Sequence, residues 1–308
     1  MSGAPTRSAR SIAIDADAAE PLLDTSYAEC QRFAAAHYEN FPVASWLLPR
    51  RMRRHVAAVY AFARQADDFA DEGDLPAVER HRRLDDWETR LRTCVRGAAV
   101  DDTRASRVFL ALGHTIETFD LPIRLFEDLL SAFRQDITTD RYETWEQLLD
   151  YCRRSANPVG RLVLRLAGID DPAHDRASDA LCTALQLTNF WQDLARDWGR
   201  GRLYVPAIDR LACGAREQDL SAGRWTSEWV RTMERAESRT RQLFERGRPV
   251  CDAVQGRLRL ELRMTWLGAT LVLDRLASSR FDVFASRPRL HALDAMPLLW
   301  RAATWRAA

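Results

Sequence analysis

Two pairs of aspartates stand four residues apart at two distant places in this 308-residue chain. Asp67 and Asp71 close one run of helical periodicity, and Asp193 and Asp197 close another. Side chains at i and i+4 share one helix face, which puts each pair of carboxylates about 6 Å apart. They repel each other unless a cation lies between them. Magnesium suits that position, because it accepts one or two carboxylates, keeps several waters and completes its shell with substrate phosphate oxygens.

The second pair belongs to a longer polar stripe. Gln186 and Asn189 precede Asp193 at spacings that keep all four polar side chains on one helix face. The surrounding positions are apolar, which is typical of a buried helix. Because an unpaired buried carboxylate is costly, the stripe predicts a cavity that contains water or cations. One such acidic pair alone is typical of a solvated helix end. Two pairs predict facing acidic helices that bind magnesium ions with a diphosphate between them.

The charged residues narrow the chemistry further. All 45 basic residues are arginine, 44 residues are acidic, and the net charge is +1. The absence of lysine excludes Schiff-base, pyridoxal-phosphate and Walker-type phosphate-loop mechanisms. The balanced charge argues against nucleic-acid binding. Arg64, one turn before Asp67, and the group Arg196, Arg200 and Arg202 are expected to contact phosphate oxygens.

Aromatic residues accompany both acidic patterns. Loss of diphosphate from an allylic or cyclopropylcarbinyl carbon leaves a carbocation, which needs a dry pocket with aromatic faces. Each aromatic side chain near the two patterns either lines such a pocket or simply packs in the core. The candidates are Phe41, Tyr60, Phe62, Tyr142, Trp145, Phe190 and Trp191.

The elements that must position these residues are predicted to be helices. Apolar residues recur at spacings of three and four, strand-like alternation is absent, and prolines and glycines divide the chain into about ten helices. We predict an all-α fold with a mobile tail over residues 1–24, one helical domain over residues 25–308, and a long loop from Ala207 to Gly223. The six cysteines form no metal-type cluster and are expected to be reduced core thiols.

Location and membrane contact follow from the apolar segments. No secretory signal and no stretch of about 18 uncharged apolar residues is present, so a cytoplasmic protein is expected. The C-terminal segment carries Leu298, Leu299, Trp300 and Trp305 among Arg289, Arg301 and Arg306. This segment either docks on the protein body, which amphipathicity alone favours, or touches the inner face of a membrane.

The two acidic patterns and their flanks resemble a known family. Residues 59–71, VYAFARQADDFAD, and residues 186–197, QLTNFWQDLARD, are similar to the two signatures of the squalene and phytoene synthases. Residues 201–206, GRLYVP, resemble the Arg-x-Tyr-x-Pro ending of that family. The resemblance extends from about His37 to Phe284. It implies an isoprenoid synthase fold that surrounds a central cavity, magnesium dependence and prenyl diphosphate substrates.

The resemblance also implies roles for individual residues. The magnesium ligands would be Asp67, Asp71, Asp193 and Asp197. The diphosphate and cavity contacts would be Arg64, Gln186, Asn189 and Arg202, and the pocket would be lined by Tyr60, Tyr142 and Tyr204. The first substrate-binding segment would include His37, Asn40 and Phe41, and Asn157 would lie at the substrate.

Departures from the family pattern indicate a subgroup. Gln192 stands where enzymes that join two prenyl diphosphates usually carry arginine, residues 37–45 lack the common serines, and Phe281 replaces a tyrosine. With Ser155-Ala156-Asn157-Pro158-Val159-Gly160, these differences resemble the hopanoid-associated hydroxysqualene synthases. That implies presqualene diphosphate as substrate, rearrangement of the cation, capture by water as hydroxysqualene, and no need for NADPH. A neutral amide can orient a water, so Gln192→Arg is expected to reduce alcohol formation.

Several alternatives stay open. Asn157 and Asn189 are rival candidates for positioning the water. The same fold could instead condense two farnesyl diphosphates to presqualene diphosphate, or make squalene with NADPH; the absence of a Rossmann glycine motif does not exclude NADPH. A non-catalytic, membrane-associated scaffold is the third alternative, which the four retained aspartates disfavour. The implied partner is an enzyme that supplies presqualene diphosphate.

Overall fold

The computed structural model describes residues 16–36, 48–71, 75–96 and 103–305. These residues form fourteen α-helices and one 3₁₀ helix, with no strand among them, which confirms the all-α prediction. The only pairing of strand type in this part of the chain is an isolated bridge between Arg141 and Leu203. Fourteen helices exceed the expected ten because several are too short to show a periodic pattern.

The helices follow each other along the chain with short connections. Their bounds are α1 Ala16–Ala36, α2 Arg50–Asp71, α3 Ala77–Val95, α4 Arg104–Phe119, α5 Ile123–Asp136, α6 Trp145–Ser155, α7 Asn157–Leu166, α8 Pro172–Gly199, α9 Ala207–Cys213, α10 Glu217–Ser221, α11 Ser227–Gly247, α12 Val250–Ala253, α13 Gly256–Ser278 and α14 Ala295–Ala303, with the 3₁₀ helix at Ala292–Asp294 before α14.

Two predicted boundaries need correction. Helix α1 begins at Ala16, so residues 16–24 are helical and the predicted tail over residues 1–24 is too long; residues 1–15 lie outside the described part. The hydroxyl groups of buried Tyr27 on α1 and Thr115 on α4 share a hydrogen bond of 2.8 Å. This contact joins distant residues, so the local sequence gives no sign of it. The predicted loop from Ala207 to Gly223 contains α9 and α10, whose seven and five residues are too few for periodicity to reveal.

Helices α2 and α8 form the centre of the bundle. Helix α2 packs against α1, α3, α4 and α5, whereas α8 packs against α7, α11 and α13. Small buried side chains on α2 allow this close packing: Ala57, Ala58, Ala61, Ala66 and Ala70. Helix α8 starts at an Asp171 cap, whose carboxylate accepts from the Ala173 and His174 backbone N–H groups. Each of the two central helices therefore brings one acidic pair to its C-terminal end.

The C-terminal helix docks on the protein body. Leu298 and Ala302 of α14 are buried against Leu267 of α13. Trp305 packs edge to face against Trp266 with ring centroids 5.2 Å apart. Of the two predicted alternatives for this segment, its inner face therefore follows the first and docks on the protein body. No helix in the described residues is long and apolar enough to cross a bilayer. All six cysteines are free, and four of them are buried, in line with core thiols.

Helices α8 and α11 approach closely at Gly247. A Cβ atom added there would lie 2.6 Å from the Leu181 backbone nitrogen and 2.8 Å from its Cα. We expect Gly247→Ala to lower the free energy of unfolding by about 1–3 kcal/mol, because backbone atoms must shift to admit the methyl group. Gly199→Ala, whose added Cβ meets nothing within 4 Å, is the matched control and should not destabilise. Equal unfolding curves for both variants in urea would contradict this packing.

Candidate active site

Arg202 joins the two acidic patterns. Gly201 has φ of +81° and turns the chain after α8, so that the Arg202 backbone N–H donates to the Asp197 carbonyl at 2.8 Å. The Arg202 guanidinium reaches across to α2, where it donates to both carboxylate oxygens of Asp71 at 2.6 and 3.2 Å. One arginine thus bonds the end of the second pattern and the end of the first. The ends of α2 and α8 therefore lie within reach of the same arginine, and we call the region between the two patterns, around Arg202, the crevice.

In the first pattern the side chains of Asp67 and Asp71 are both partly exposed, but they have different partners. Arg64 pairs with Asp67 at 3.4 Å and with Asp68 at 2.8 Å. Burial, together with the nearby Asp71 carboxylate, raises the pKa of Asp67 to about 7. The Asp67 carboxyl is therefore poised to lose a proton when a second cation approaches. Tyr60 lies half-buried one turn before Arg64, and burial raises the pKa of its phenol.

The second pattern is electrostatically similar. Burial and the neighbouring Asp193 carboxylate raise the pKa of Asp197 to about 7. Asp193 itself is paired with Arg287, whose Nη2 donates to Oδ2 at 3.0 Å and whose Nε donates to Oδ1. Arg196 is farther from Asp193, at 3.7 Å. In both patterns one carboxylate is bound by a long-range arginine and its neighbour has a raised pKa.

A segment after α13 covers part of the second pattern. We call residues 281–291 the C-terminal strap. Besides the ion pair of Arg287, the strap accepts a hydrogen bond at the Pro288 carbonyl from the Gln192 side chain at 2.5 Å. The Trp225 indole donates to the Arg280 carbonyl at 3.0 Å just before the strap begins. Sequence reasoning missed Arg287, because its separation of 94 positions from Asp193 leaves no local signal.

Asp136 is a second residue that sequence reasoning missed. It ends α5, and burial raises its pKa to about 7, with Asp71 and Asp67 adding to the increase. The Tyr151 hydroxyl donates to Asp136 Oδ2 at 2.9 Å, and Arg202 also donates to the Asp136 carbonyl at 3.3 Å. In the sequence, Asp136 is recognisable only as a carboxylate at the end of an amphipathic helix. That position alone does not distinguish it from a solvated helix end.

An aromatic cluster lies next to the crevice. The rings of Phe190 and Tyr204 are stacked with centroids 3.7 Å apart, and Tyr142 stacks on Tyr204 at 5.8 Å. Tyr151 is within 6.2 Å of Phe190 and Tyr204. All four rings are buried. The predicted pocket residues Tyr142 and Tyr204 are thus brought together beside Asp136 and Arg202, while Tyr60 stands on the α2 side.

The predicted amide residues differ in what they contact. Gln186 and Asn189 are half-buried on α8, and neither forms a side-chain hydrogen bond with another described residue. Asn157 is buried, and its Oδ1 accepts from the Thr183 hydroxyl at 2.9 Å. Gln192 donates to the strap, on the flank of the polar stripe. The remaining predicted contacts, His37, Asn40 and Phe41, lie outside the described residues.

The acidic pairs suit magnesium better than an all-protein metal site. Within the described ranges, no group of three or more His, Cys, Asp or Glu side chains is close enough to hold a metal ion. Magnesium normally binds to one or two carboxylates and takes its other ligands from water and phosphate. Each pair offers that donor set, with a carboxyl of raised pKa beside one that an arginine already neutralises. Asp67, Asp71, Asp193 and Asp197 are the residues that would hold magnesium.

The raised pKa of Asp197 predicts how stability depends on pH. Without metal, the folded state keeps a proton on Asp197 between about pH 4 and pH 7, whereas the unfolded chain releases it, so stability falls as pH rises through this window. Asp197→Asn should therefore raise the melting temperature of metal-free protein more at pH 8 than at pH 5. Magnesium should raise the melting temperature of the parent protein at pH 8 and have less effect on this variant.

The control is Asp120→Asn, at an exposed position in a left-handed conformation that asparagine tolerates. It should leave the pH dependence and the magnesium effect unchanged in the same thermal denaturation series. If Asp197→Asn and the parent protein had the same melting temperature at every pH, the raised pKa of Asp197 would be contradicted.

Comparisons with known proteins agree with this geometry. A family model for squalene/phytoene synthases matches residues 34–294. A hydroxysqualene synthase from Sinorhizobium fredii is 37% identical over 248 residues, covering 80% of this chain and 82% of the relative. Another, from Rhodopseudomonas palustris, is 36% identical over 272 residues and covers 88% and 89%. The crystal structure of squalene synthase HpnC from Alicyclobacillus acidocaldarius superposes with a TM-score of 0.78 at 40% identity, over 84% of this chain and 95% of that one.

These matches confirm the resemblance found in the motifs, including that to hydroxysqualene synthases. The family match extends over both acidic patterns and over Arg202 and Arg287. The chain is therefore an isoprenoid synthase that acts on prenyl diphosphates, and it belongs to the squalene/phytoene synthase family.

Proposed function

We propose that this enzyme ionises presqualene diphosphate and that water captures the rearranged cation as hydroxysqualene. The observation that carries the proposal is the pair of acidic patterns bordering one crevice, bridged by Arg202 and adjacent to a buried aromatic cluster. This arrangement combines a site for a diphosphate with a dry aromatic surface. The relatives named hydroxysqualene synthases support the choice of product.

The carboxylates would hold the magnesium ions. Bound magnesium would neutralise the charge that develops on the departing diphosphate and so improve the leaving group. Asp67 and Asp71 would bind on one side of the crevice, and Asp193 and Asp197 on the other. Arg202 forms an ion pair with Asp71, and Arg287 forms one with Asp193. Their guanidinium groups can donate to diphosphate oxygens once the carboxylates have a metal partner.

The aromatic cluster would stabilise the cation without reacting with it. Burial raises the pKa of Tyr142, Tyr151 and Tyr204 well above the usual value, so their phenols stay neutral. Neutral phenols and the Phe190 face offer π-electron density and no anionic oxygen that would remove a proton from the cation. The cation would therefore survive long enough to rearrange before water attacks.

Water capture completes the balance of the reaction. The carbon–oxygen bond to diphosphate breaks, a new carbon–oxygen bond forms to water, and the proton released from that water is accepted by the diphosphate. No oxidation occurs, so NADPH is not required. Gln192 lies on the flank of the polar stripe and uses its amide N–H for Pro288, which leaves its carbonyl oxygen to accept a hydrogen bond from water.

Two other amides are candidates for orienting the water. Asn189 belongs to the polar stripe and has no side-chain partner among the described residues, so both its donor and its acceptor are available. The Asn157 acceptor is already used by Thr183. These contacts favour Asn189 and Gln192 over Asn157 as the water-positioning residue.

The alternatives from the sequence remain distinct hypotheses. Condensation of two farnesyl diphosphates needs a second diphosphate contact, which an arginine at position 192 would supply in the condensing enzymes and Gln192 does not. The proposed substrate must come from a reaction of that condensing class, so a functional partner of that activity is expected. A scaffold role would not require the four aspartates and their arginine partners.

The deciding experiment is product analysis by gas chromatography and mass spectrometry. Purified protein is incubated with magnesium and presqualene diphosphate without NADPH, and in parallel with farnesyl diphosphate. We expect hydroxysqualene from the first incubation only, and a smaller alcohol fraction among the products of Gln192→Arg, with Gln242→Arg on the exposed face of α11 as the control. Consumption of farnesyl diphosphate would place the enzyme in the condensing class, and inactivity toward both substrates would favour the scaffold.

A further inference from the structure

Helix α14 is apolar on both of its faces. Its inner face, which includes Leu298 and Ala302, is buried against α13. Its outer face exposes Met296 and Trp300, which are 73% and 69% accessible, and Leu293 of the preceding 3₁₀ helix is 88% accessible. We call Leu293, Met296 and Trp300 the apolar patch. Their spacings of three and four residues place them on one side, which differs from the scattered single apolar residues of an ordinary surface.

The patch is held rigidly by the body of the protein. Arg275 of α13 donates to both carboxylate oxygens of Asp294 at 2.6 and 2.9 Å, and Asp294 also accepts from the His291 backbone N–H at 2.6 Å. At the other end, Arg263 donates to the Ala302 carbonyl at 3.3 Å. The exposure of the three large side chains is therefore a property of the docked helix, since both ends of the segment are anchored.

The charges around the patch are positive. Residues 288–305 contain one acidic residue, Asp294, which Arg275 neutralises. Arg289 and Arg301 are exposed, and neither forms an ion pair with another described residue. An apolar surface with leucine, methionine and tryptophan side chains and an arginine rim is complementary to a bilayer interface that carries anionic headgroups.

We propose that the apolar patch inserts into the surface of an anionic lipid bilayer, with Arg289 and Arg301 contacting the headgroups. A second copy of the chain is a poorer occupant, because a twofold interface would bring the same arginine rims face to face. The binding would be interfacial, since α14 has only nine residues and no described helix can span. The strap leads directly from this patch to Asp193, so a docked protein would hold its crevice close to the lipid surface.

Vesicle sedimentation with the full chain tests the proposal. The two probes are vesicles of phosphatidylcholine alone and vesicles that also contain phosphatidylglycerol. We expect binding to the mixed vesicles, weakening as salt is added. Combined substitution of the patch, Leu293→Ser with Met296→Ser and Trp300→Ser, should lower the partition coefficient at least tenfold, or about 1.4 kcal/mol. Arg289→Gln and Arg301→Gln should each lower it about fivefold on mixed vesicles.

The matched control replaces equally exposed apolar residues elsewhere. Val78→Ser with Leu211→Ser, at positions 81% and 79% accessible, should bind like the parent protein. Thermal denaturation of every variant checks folding. Vesicle binding that survives the patch substitutions, or no binding by the parent protein, would overturn the proposal. The proposal would also be overturned if light scattering showed a dimer that the patch substitutions dissociate, while the parent protein did not bind to vesicles. None of these readings depends on which reaction the enzyme catalyses.

Discussion

The repulsion between carboxylates within each acidic pair determines how this site is built. Two carboxylates one helical turn apart are tolerable in water, but burial disfavours the charged form and, together with repulsion from the neighbouring carboxylate, raises the pKa of Asp67 and Asp197 to about 7. The protein offsets this repulsion with arginines from distant parts of the chain. Arg202 binds Asp71, and Arg287 binds Asp193. The crevice is therefore assembled by the same charges that would bind magnesium and diphosphate.

The helical scaffold serves that requirement. The ends of α2 and α8 must lie within reach of one arginine, because each helix carries its acidic pair in its last turns. Small alanine side chains let α2 pack against five neighbouring helices, and Gly247 allows α11 to approach the backbone of α8. The turn at Gly201 then returns Arg202 toward α2. The C-terminal strap adds the second long-range arginine, Arg287, and leads on to α14. The C-terminal region therefore contributes both to the site, through the strap, and to the exposed apolar patch, through α14.

The parts of this structure that depend on local spacing could be predicted from the sequence. Helical periodicity indicated the all-α fold, and spacings of three and four placed Gln186, Asn189, Asp193 and Asp197 on one face. The motif resemblance assigned Arg202 to the site, where it bridges the two patterns. Features that depend on contacts between distant residues were not predictable in this way. The start of α1 at Ala16, the short helices α9 and α10, and the burial of Asp136 belong to this class.

Arg287 shows why the remaining contacts escaped prediction. One arginine among 45 carries no mark of its partner, and only the path of the strap brings it to Asp193. The amides illustrate the converse case. Asn157 and Gln192 looked equally able to orient a water, yet one is engaged by Thr183 and the other by Pro288. Residue type limits what a side chain can do, and its packing partners decide which of those options is open.

Binding of inorganic pyrophosphate tests most directly whether both acidic patterns act on one diphosphate. Isothermal titration would compare the parent protein with Asp71→Asn and with Asp193→Asn, each with and without magnesium. We expect magnesium-dependent binding of one pyrophosphate by the parent protein, and at least tenfold weaker binding by either single variant. If either variant bound pyrophosphate as tightly as the parent protein, the diphosphate would need only the other acidic pattern. That result would contradict a shared site.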